Sequence, residues 1–245
     1  MFANFKFPPI LIVLIFAIVH QAKSQEIDTD GTSETEAPHT ITAMKFQAES
    51  DIAVERENGE FTDYFPESLL RFGLFKNLEL RADIALAGTD TTSAGFDPIR
   101  LGAKYHLFGG KNWLPEISAM AMVKIPWLAD GRFHERYYEP ELRLLLKNEL
   151  TDKLDLGYNL GMLWNSENRQ PEYVYTISGD AEVSKKVKFY AEEYCFAPVN
   201  RHAIHTADLG ILYLLTPNLQ LDLAGGTALT HTSDFFLRGG IAFRI

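Results

Sequence analysis

Residue types that could carry out chemistry lie close to predicted loops. His231 and Ser233 stand two residues apart, a spacing that places a base and a nucleophile on the same face of an extended strand. Asp234 follows them, but no acidic or amide residue can be assigned to orient the histidine. Ser, Thr and Asp are also common turn formers, so a polar turn before the last strand is the simpler interpretation. The sequence therefore predicts no catalytic residue.

A second group contains residue types that ligate metals. His202 and His205 lie three residues apart in a presumed loop, and Cys195 precedes them. Such a pair is weak evidence for a metal site, and a structural or solvated role is simpler. Gly109-Gly110 and Gly225-Gly226 lack the strand-to-helix context that phosphate binding requires. Neither a metal nor a cofactor is predicted.

The best-defined element of the chain is a hairpin between residues 142 and 164. Its two halves alternate large apolar residues with polar or small ones and meet at Thr151-Asp152-Lys153. Only a strand alternates with a period of two, and a very short polar turn joins antiparallel strands. The same unit of two alternating runs around a few turn formers recurs at 70–81, 183–189 and 214–221.

The N-terminus has the pattern of a secretory signal. Residues 1–24 contain Lys6, an apolar stretch at 10–19 and a small-x-small motif that ends at Ser24. We therefore expect export and cleavage near Ser24. Residues 25–42 are rich in Thr, Ser, Asp and Glu, which predicts a disordered lead-in, and the folded domain is predicted to span 43–245.

Composition excludes several classes of protein. Without residues 1–24 the chain has 21 basic and 33 acidic residues, a net charge of −12, so nucleic acid is not an expected partner. Cys195 is the one cysteine, so no intrachain disulfide can form. After the signal no apolar run approaches the roughly 20 residues of a spanning helix. A membrane β-barrel remains open, because only its alternate residues are apolar.

Alternation continues from residue 42 to the end of the chain and predicts an all-β fold. The twelve predicted strands are about 44–55, 68–75, 78–87, 98–107, 115–125, 140–149, 154–164, 173–183, 187–195, 206–215, 219–227 and 235–245. Their connections alternate between long and short, beginning with a long one at 56–67. In an up-and-down meander this places all long loops at one rim and all tight turns at the other, as in outer-membrane barrels.

Alternate residues along these strands form two sets, here called parities, which point to opposite faces of the sheet. One parity is heavily charged and the other is apolar. We interpret the charged parity as the lining of a lumen, where opposite charges on neighbouring strands form networks or, alternatively, selectivity rings. The lumen-lining candidates are Arg71, Glu79, Arg81, Asp83, Arg100, Lys104, Lys124, Arg143, Lys147, Asp155, Asp180, Glu182 and Asp222. Cations dominate up to 147 and acids from 155 onward, which predicts a basic wall opposite an acidic one.

Alternation alone does not decide which face points outward, because a soluble ligand-binding barrel has its apolar face inside. Two features favour an apolar exterior: aromatic residues cluster near the predicted loops, as interface girdles do, and several glycines lie on the charged parity, where a crowded lumen needs small residues. The chain also ends on a strand. The prediction is a transmembrane antiparallel up-and-down β-barrel of about twelve strands.

Several segments resemble a known family. They are SLLRFGLFKNLELR at 68–81, LGAKYHL at 101–107, WLP at 113–115, YNLG at 158–161 and LLTPNLQLD at 214–222. Together they resemble the transporters of the MetA pathway of phenol degradation, exported β-barrel proteins of Gram-negative bacteria. The resemblance covers roughly 44–245 and implies a barrel in the outer membrane that passes small, by family label hydrophobic or aromatic, solutes.

The leading functional interpretation is therefore a non-enzymatic outer-membrane channel or transporter for a small solute. A non-conducting structural or adhesive barrel and an outer-membrane lipid hydrolase are the alternatives. The expected partners are outer-membrane lipid, the solute and the barrel-assembly machinery. That machinery commonly reads a terminal aromatic residue, whereas here Phe243 lies two residues before the end.

Overall fold

The chain folds into a closed antiparallel sheet. The computed structural model describes residues 27–57, 59–89, 93–111, 113–230 and 234–245. The strands are β1 Phe46–Glu57, β2 Glu60–Phe75, β3 Leu78–Thr89, β4 Gly95–Phe96, β5 Arg100–Phe108, β6 Glu116–Lys124, β7 Glu139–Thr151, β8 Leu154–Trp164, β9 Pro171–Ser184, β10 Val187–Pro198, β11 Ile204–Thr216, β12 Leu219–Ala228 and β13 Phe235–Arg244. None of the described residues forms a helix that is long and apolar enough to cross a membrane.

Each long strand pairs with the next one along the chain, and the last pairs with the first. β13 runs antiparallel to β1 over the register from Gln47↔Arg244 to Arg56↔Phe235, which closes the barrel. The two-residue strand β4 pairs only with the end of β3, inside a long connection. The remaining twelve strands form the wall of the barrel. The predicted up-and-down barrel of twelve strands is confirmed.

One predicted connection is wrong. The sequence predicts a long loop at 56–67, but β2 begins at Glu60, which pairs with Glu57 across a tight turn. Gly59 adopts a φ of 87°, a conformation that glycine accepts without a steric penalty. The Asn-Gly pair at 58–59 is a strong hairpin signal that the sequence analysis did not use. The other long connections all lie at the rim that holds this turn, opposite the short turns.

The two faces of the sheet differ sharply in polarity. A closed sheet of one layer has only an inner and an outer face, so its buried side chains lie inside the barrel. Those inside include Gln47, Glu49, Asp51, Arg71, Glu79, Arg81, Lys104, Glu141, Arg143, Asn159, Thr176, Glu192, Asp208 and Gln220. The exposed apolar side chains include Ile52, Leu80, Leu101, Leu142, Leu144, Leu160, Ile177, Leu209, Leu223, Leu237 and Ile241. The apolar exterior that the sequence favours is therefore present.

Placing a charge on the outer face should test this arrangement on a single strand. Leu144, at mid-height of β7, is 39% exposed, and Leu150, near the short-turn end of β7, is 54% exposed. We expect Leu144→Arg to lower the free energy of unfolding from a lipid bilayer by roughly 2–4 kcal/mol, and Leu150→Arg by about 0–1 kcal/mol, because the cost of a cation depends on depth in the bilayer. Equal losses in denaturant titrations of the two variants would contradict an apolar membrane-facing exterior.

Candidate functional site in the barrel lumen

Residues 27–42, here called the inner segment, lie inside the barrel. They form neither helix nor strand. The segment is anchored near both ends to the short-turn rim: the Ile27 amide donates to the Pro217 carbonyl at 2.9 Å, and the Thr40 hydroxyl donates to the Lys76 carbonyl at 3.4 Å. Between these anchors it contacts strands on all sides of the barrel, which only an object in the lumen can do. The sequence predicts a disordered lead-in here, but polar groups of the lumen hold this segment through hydrogen bonds.

Asp30 is the centre of the contacts between the inner segment and the barrel wall. Its Oδ2 atom lies 2.9 Å from Arg71 Nη2 and 2.7 Å from Arg81 Nη1, and it also accepts a hydrogen bond from Lys104 Nζ. Those three cations come from β2, β3 and β5. Burial alone would raise the pKa of Asp30, but Arg71, Lys104 and Arg81 together hold it well below its usual range. Asp30 is therefore ionised and joins three adjacent strands through one carboxylate.

The surrounding carboxylates balance the charge of these cations. Arg71 Nη1 lies 2.9 Å from Glu49 Oε1, and Arg71 Nε lies 2.8 Å from Glu79 Oε1. The side chains of Arg71 and Glu79 are fully buried, and that of Glu49 almost so. Buried ions remain stable only when each one is paired and hydrogen-bonded. Asp30, supplied by the inner segment, completes this balance.

Glu36 makes a second bridge to the same wall. Its Oε1 atom lies 2.7 Å from Arg81 Nη2, and its Oε2 atom lies 3.4 Å from Lys104 Nζ. Burial raises the pKa of Glu36 to about 7, with Asp30 adding to the rise and Arg81 opposing it. Glu36 is therefore a weaker acid than Asp30 and holds less charge at neutral pH.

Glu34 extends these contacts to β7. Arg143 donates to the Glu34 side chain and, at 3.0 Å, to the Glu34 carbonyl oxygen. The Nε atom of Arg143 also donates to Glu141, which accepts a further bond from Arg100. Asp30, Glu34 and Glu36 thus contact cations of four strands: β2, β3, β5 and β7.

The opposite side of the lumen binds the backbone of the inner segment. Glu192 on β10 accepts hydrogen bonds from the amides of Glu34 at 2.7 Å and Thr35 at 2.8 Å. The hydroxyls of Thr35 and Thr176 are 2.8 Å apart. Asn159 on β8 donates to the Glu36 carbonyl at 2.9 Å and accepts from its amide at 2.8 Å. On this side of the lumen, a carboxylate and an amide of the wall therefore bind peptide groups of the segment.

The structure brings about half of the predicted lumen residues to the inner segment. Arg71, Glu79, Arg81, Lys104 and Arg143 contact it directly. Asp83 and Arg100 form an adjacent ion pair with an N–O distance of 3.6 Å. These side chains include most of the basic wall that the sequence predicts.

Within the described ranges, the remaining predicted side chains form no ion pair with Asp30, Glu34 or Glu36. Lys124 pairs with Glu135 at 3.1 Å near the long loops, and Lys147 pairs with Asp155 at 3.4 Å. Asp180 lines a small cavity together with Asp155. Glu182 lines a cavity at the short-turn rim, and Asp222 is in register with Gly240.

Several residues of the site were missing from the sequence prediction. The carboxylates of the inner segment, Asp30, Glu34 and Glu36, were assigned to a disordered lead-in because the segment has no periodicity. Asn159 and Glu192 were not missed, because both lie on the charged parity that the sequence assigns to the lumen, and both are buried there.

The inner segment leaves little free volume around it. The cavities beside it measure about 100 Å³ near Asp30 and Arg143 and about 50 Å³ near Thr35 and Asp155. A larger space of about 350 Å³ opens at the short-turn rim. With the inner segment in place, side chains of the segment and of the barrel wall occupy most of the described part of the lumen.

The other chemically interesting residues do not form a comparable site. His231, Thr232 and Ser233 lie outside the described residues, as does the predicted signal at 1–24. Cys195 Sγ lies 3.7 Å from His205 Nε2, and His205 Nδ1 lies 2.7 Å from Glu193 Oε1. Across the described ranges, no group of three or more His, Cys, Asp or Glu side chains is arranged to hold a metal ion.

Comparison with known families identifies the chain. Residues 29–245 match the model of a family described as "Putative MetA-pathway of phenol degradation". The chain belongs to this family. The match begins within the inner segment, so it covers Asp30 and its three cationic partners as well as the barrel wall. The family predicted from the sequence is confirmed. No curated protein matches the sequence significantly.

Solved structures with the same fold are outer-membrane channels and porins. The COG4313 outer membrane channel from Pseudomonas putida F1 superposes with a TM-score of 0.65 at 12% identity, covering 90% of this chain and all of the other. The NanC porin gives a TM-score of 0.61 at 9% identity, covering 80% of this chain and 98% of the other. The KdgM porin in complex with disordered oligogalacturonate gives 0.58 at 13% identity with the same coverages. At these identities the likeness shows a shared fold.

Removing the charge of Asp30 should release the inner segment. Asp30→Asn leaves three buried cations without their shared carboxylate, and breaking a buried ion pair costs about 3–5 kcal/mol. We expect the amides of residues 27–42 to lose protection in hydrogen exchange while the strands keep theirs. Ser33→Ala is the control, because the Ser33 hydroxyl donates to the Thr35 carbonyl of the same segment and not to a residue of the barrel wall within the described ranges. Unchanged protection in Asp30→Asn would show that the cation cluster does not hold the segment.

Proposed function

We propose that this protein is an outer-membrane channel for small anionic solutes and that the inner segment acts as its plug. In the docked state the segment fills the lumen, and conduction requires it to move from the basic wall. The barrel then presents Arg71, Arg81, Lys104 and Arg143 along one side of an open passage. The proposal does not require a catalytic residue or a cofactor.

The observation that carries this proposal is the type of group that occupies the basic wall. Asp30, Glu34 and Glu36 place carboxylates against buried arginines and a lysine from four strands. A carboxylate of a passing solute has the same charge and the same hydrogen-bonding capacity as these side chains, and a phenolate has the same charge. The plug therefore stands where an anionic solute would bind, and the two compete for one set of cations.

The family description suggests which anions to test first. Phenol-degrading pathways handle phenols and aromatic acids, and both classes carry an anionic oxygen when ionised. Planar guanidinium groups bind carboxylates through two parallel hydrogen bonds and also stack on aromatic rings, so arginine suits such solutes better than lysine does. From the basic wall, three arginines and one lysine contact the plug. We propose aromatic acids and phenolates as the solute class.

The membrane location supports this function. The apolar exterior, the fold shared with porins and the predicted signal at 1–24 all favour insertion into the outer membrane after cleavage near Ser24. We propose that the barrel-assembly machinery recognises β13, with Phe243 as the aromatic residue closest to the C-terminus.

A structural, non-conducting barrel is the second candidate. The buried ion pairs around Asp30 favour it, because a segment fixed by several charge-assisted hydrogen bonds could remain docked permanently. In that case the inner segment would serve as a core that stabilises the barrel, and removing it would lower stability without producing a current.

Deleting residues 27–42 distinguishes the two candidates. We expect the deletion variant to conduct more current than the full chain in planar bilayers and to prefer anions, because the exposed wall is basic and charged linings set selectivity. The measurements are the single-channel conductance and the reversal potential in a salt gradient. In the deletion background, Arg71→Gln, Arg81→Gln and Arg143→Gln together should reduce the anion preference.

Two outcomes would contradict the channel. A deletion variant that inserts, remains folded and carries no current would support the structural barrel. We expect His231→Ala and Ser233→Ala to leave the conductance unchanged. Phospholipid hydrolysis by the full chain that is lost in either variant would instead support the lipid hydrolase.

A further inference from the structure

A large pocket lies at the long-loop rim, between the β6–β7 and β8–β9 connections. Its volume is about 910 Å³, the largest among the cavities described above. Its lining residues are Pro126, Trp127, His134, Glu135, Arg136, Tyr137, Tyr138, Pro140, Trp164 and Arg169. The rings of Trp127 and Tyr138 meet edge to face with centroids 4.5 Å apart. The pocket thus combines aromatic walls with several cations.

The aromatic part of this pocket lies outside the barrel. Tyr138 has the same parity as Leu142, which is 52% exposed on the outer face of β7. Trp164 has the same parity as Leu160, which is 57% exposed on the outer face of β8. The pocket is therefore separate from the lumen and its inner segment, and it opens where the apolar exterior meets the loops.

Two arginines of the pocket have no acidic partner among the residues that the structure describes. The Cζ atoms of Arg136 and Arg169 lie 5.2 Å and 3.9 Å from the centre of the same Tyr137 ring. Neither guanidinium forms an ion pair with any carboxylate in the described ranges, and both side chains are exposed. The pocket's one carboxylate, Glu135, lies 3.1 Å from Lys124. The rim of the pocket therefore has two cations available to an external anion.

We propose that this pocket binds a phosphate-bearing lipid of the surrounding membrane leaflet. Arg136 and Arg169 bind the phosphate head group, and Trp127, Tyr138 and Trp164 pack against the adjoining acyl region. The positions of these side chains match the parts of a lipid. The arginines lie on the loops, at the level of the head group, and the aromatic side chains continue into the apolar outer face, at the level of the acyl chains. Arginine binds phosphate through paired hydrogen bonds, and basic pockets at membrane surfaces bind lipid head groups.

A lipid is favoured over a soluble aromatic anion because of where the pocket opens. Its aromatic walls continue onto side chains that face the lipid, so an acyl chain can pass from the pocket into the bilayer without exposing apolar surface to water. The inference requires the barrel to lie in a membrane, but it does not require the lumen to conduct.

Tryptophan fluorescence can report binding at this site directly. The chain contains three tryptophans, of which Trp127 and Trp164 line the pocket and Trp113 does not. In a Trp113→Phe background the emission therefore comes from the pocket alone. The full barrel in maltoside micelles is titrated with short-chain phosphatidic acid. The matched ligands are diacylglycerol of the same chain length, inorganic phosphate and benzoate.

We expect saturable binding of phosphatidic acid and much weaker binding of the other three ligands. Arg136→Gln and Arg169→Gln should each lower the affinity roughly five-fold, and together about 30-fold, from the typical contribution of a cation near a lipid surface. Arg132→Gln is the matched control in the same loop, because Arg132 already pairs with Asp130 at 3.2 Å. It should leave the affinity unchanged.

Three results would overturn the proposal. Equal affinities for phosphatidic acid and diacylglycerol would mean that the arginines do not recognise phosphate. Benzoate that binds as tightly as phosphatidic acid would identify a site for soluble aromatic anions instead. An affinity that is unchanged in the double arginine variant, which retains its heat-modifiable migration as a folded barrel, would place the lipid elsewhere.

Discussion

The structure depends on one electrostatic constraint, the need to neutralise three cations buried inside the barrel. Arg71, Arg81 and Lys104 project from neighbouring strands into a space from which most water is excluded. An isolated buried cation costs several kcal/mol, so the cluster is stable only with carboxylates at hydrogen-bonding distance. Glu49 and Glu79 supply part of that charge from the wall. Asp30 and Glu36 supply the rest from a segment that enters the lumen from the short-turn rim.

This constraint links the exterior of the barrel to its interior. An apolar outer face requires the polar residues of every strand to point inward, and a narrow twelve-stranded lumen then concentrates them. Charges so close together must pair with one another, with the inner segment or with a solute. The inner segment satisfies the wall from within the same chain, and in the channel that we propose an anionic solute would satisfy the same cations when the segment leaves. In that channel, closure and solute recognition would be two uses of one set of arginines and one lysine.

The wall of the barrel could be predicted from the sequence, because strand alternation is a local signal. The alternation in residues 154–164 gives the faces of β8 correctly, and the tight turn before it gives its partner β7. The start of β2 was missed because the Asn-Gly turn before it was overlooked. The inner segment could not be placed, because its contacts join residues far apart in sequence: Asp30 and Arg81 are 51 positions apart, and Glu34 and Glu192 are 158 apart. No periodicity encodes such contacts.

Tethering the inner segment to the barrel wall tests whether the segment closes the lumen and must move for conduction. The hydroxyls of Thr35 and Thr176 lie 2.8 Å apart, so Thr35→Cys with Thr176→Cys can form a disulfide, and Cys195→Ser removes the native thiol. The measurement is the planar-bilayer current of this variant before and after a reductant is added. We expect little current while the disulfide is intact and a rise to the level of the Cys195→Ser parent on reduction. Equal currents in the oxidised and reduced states would contradict it.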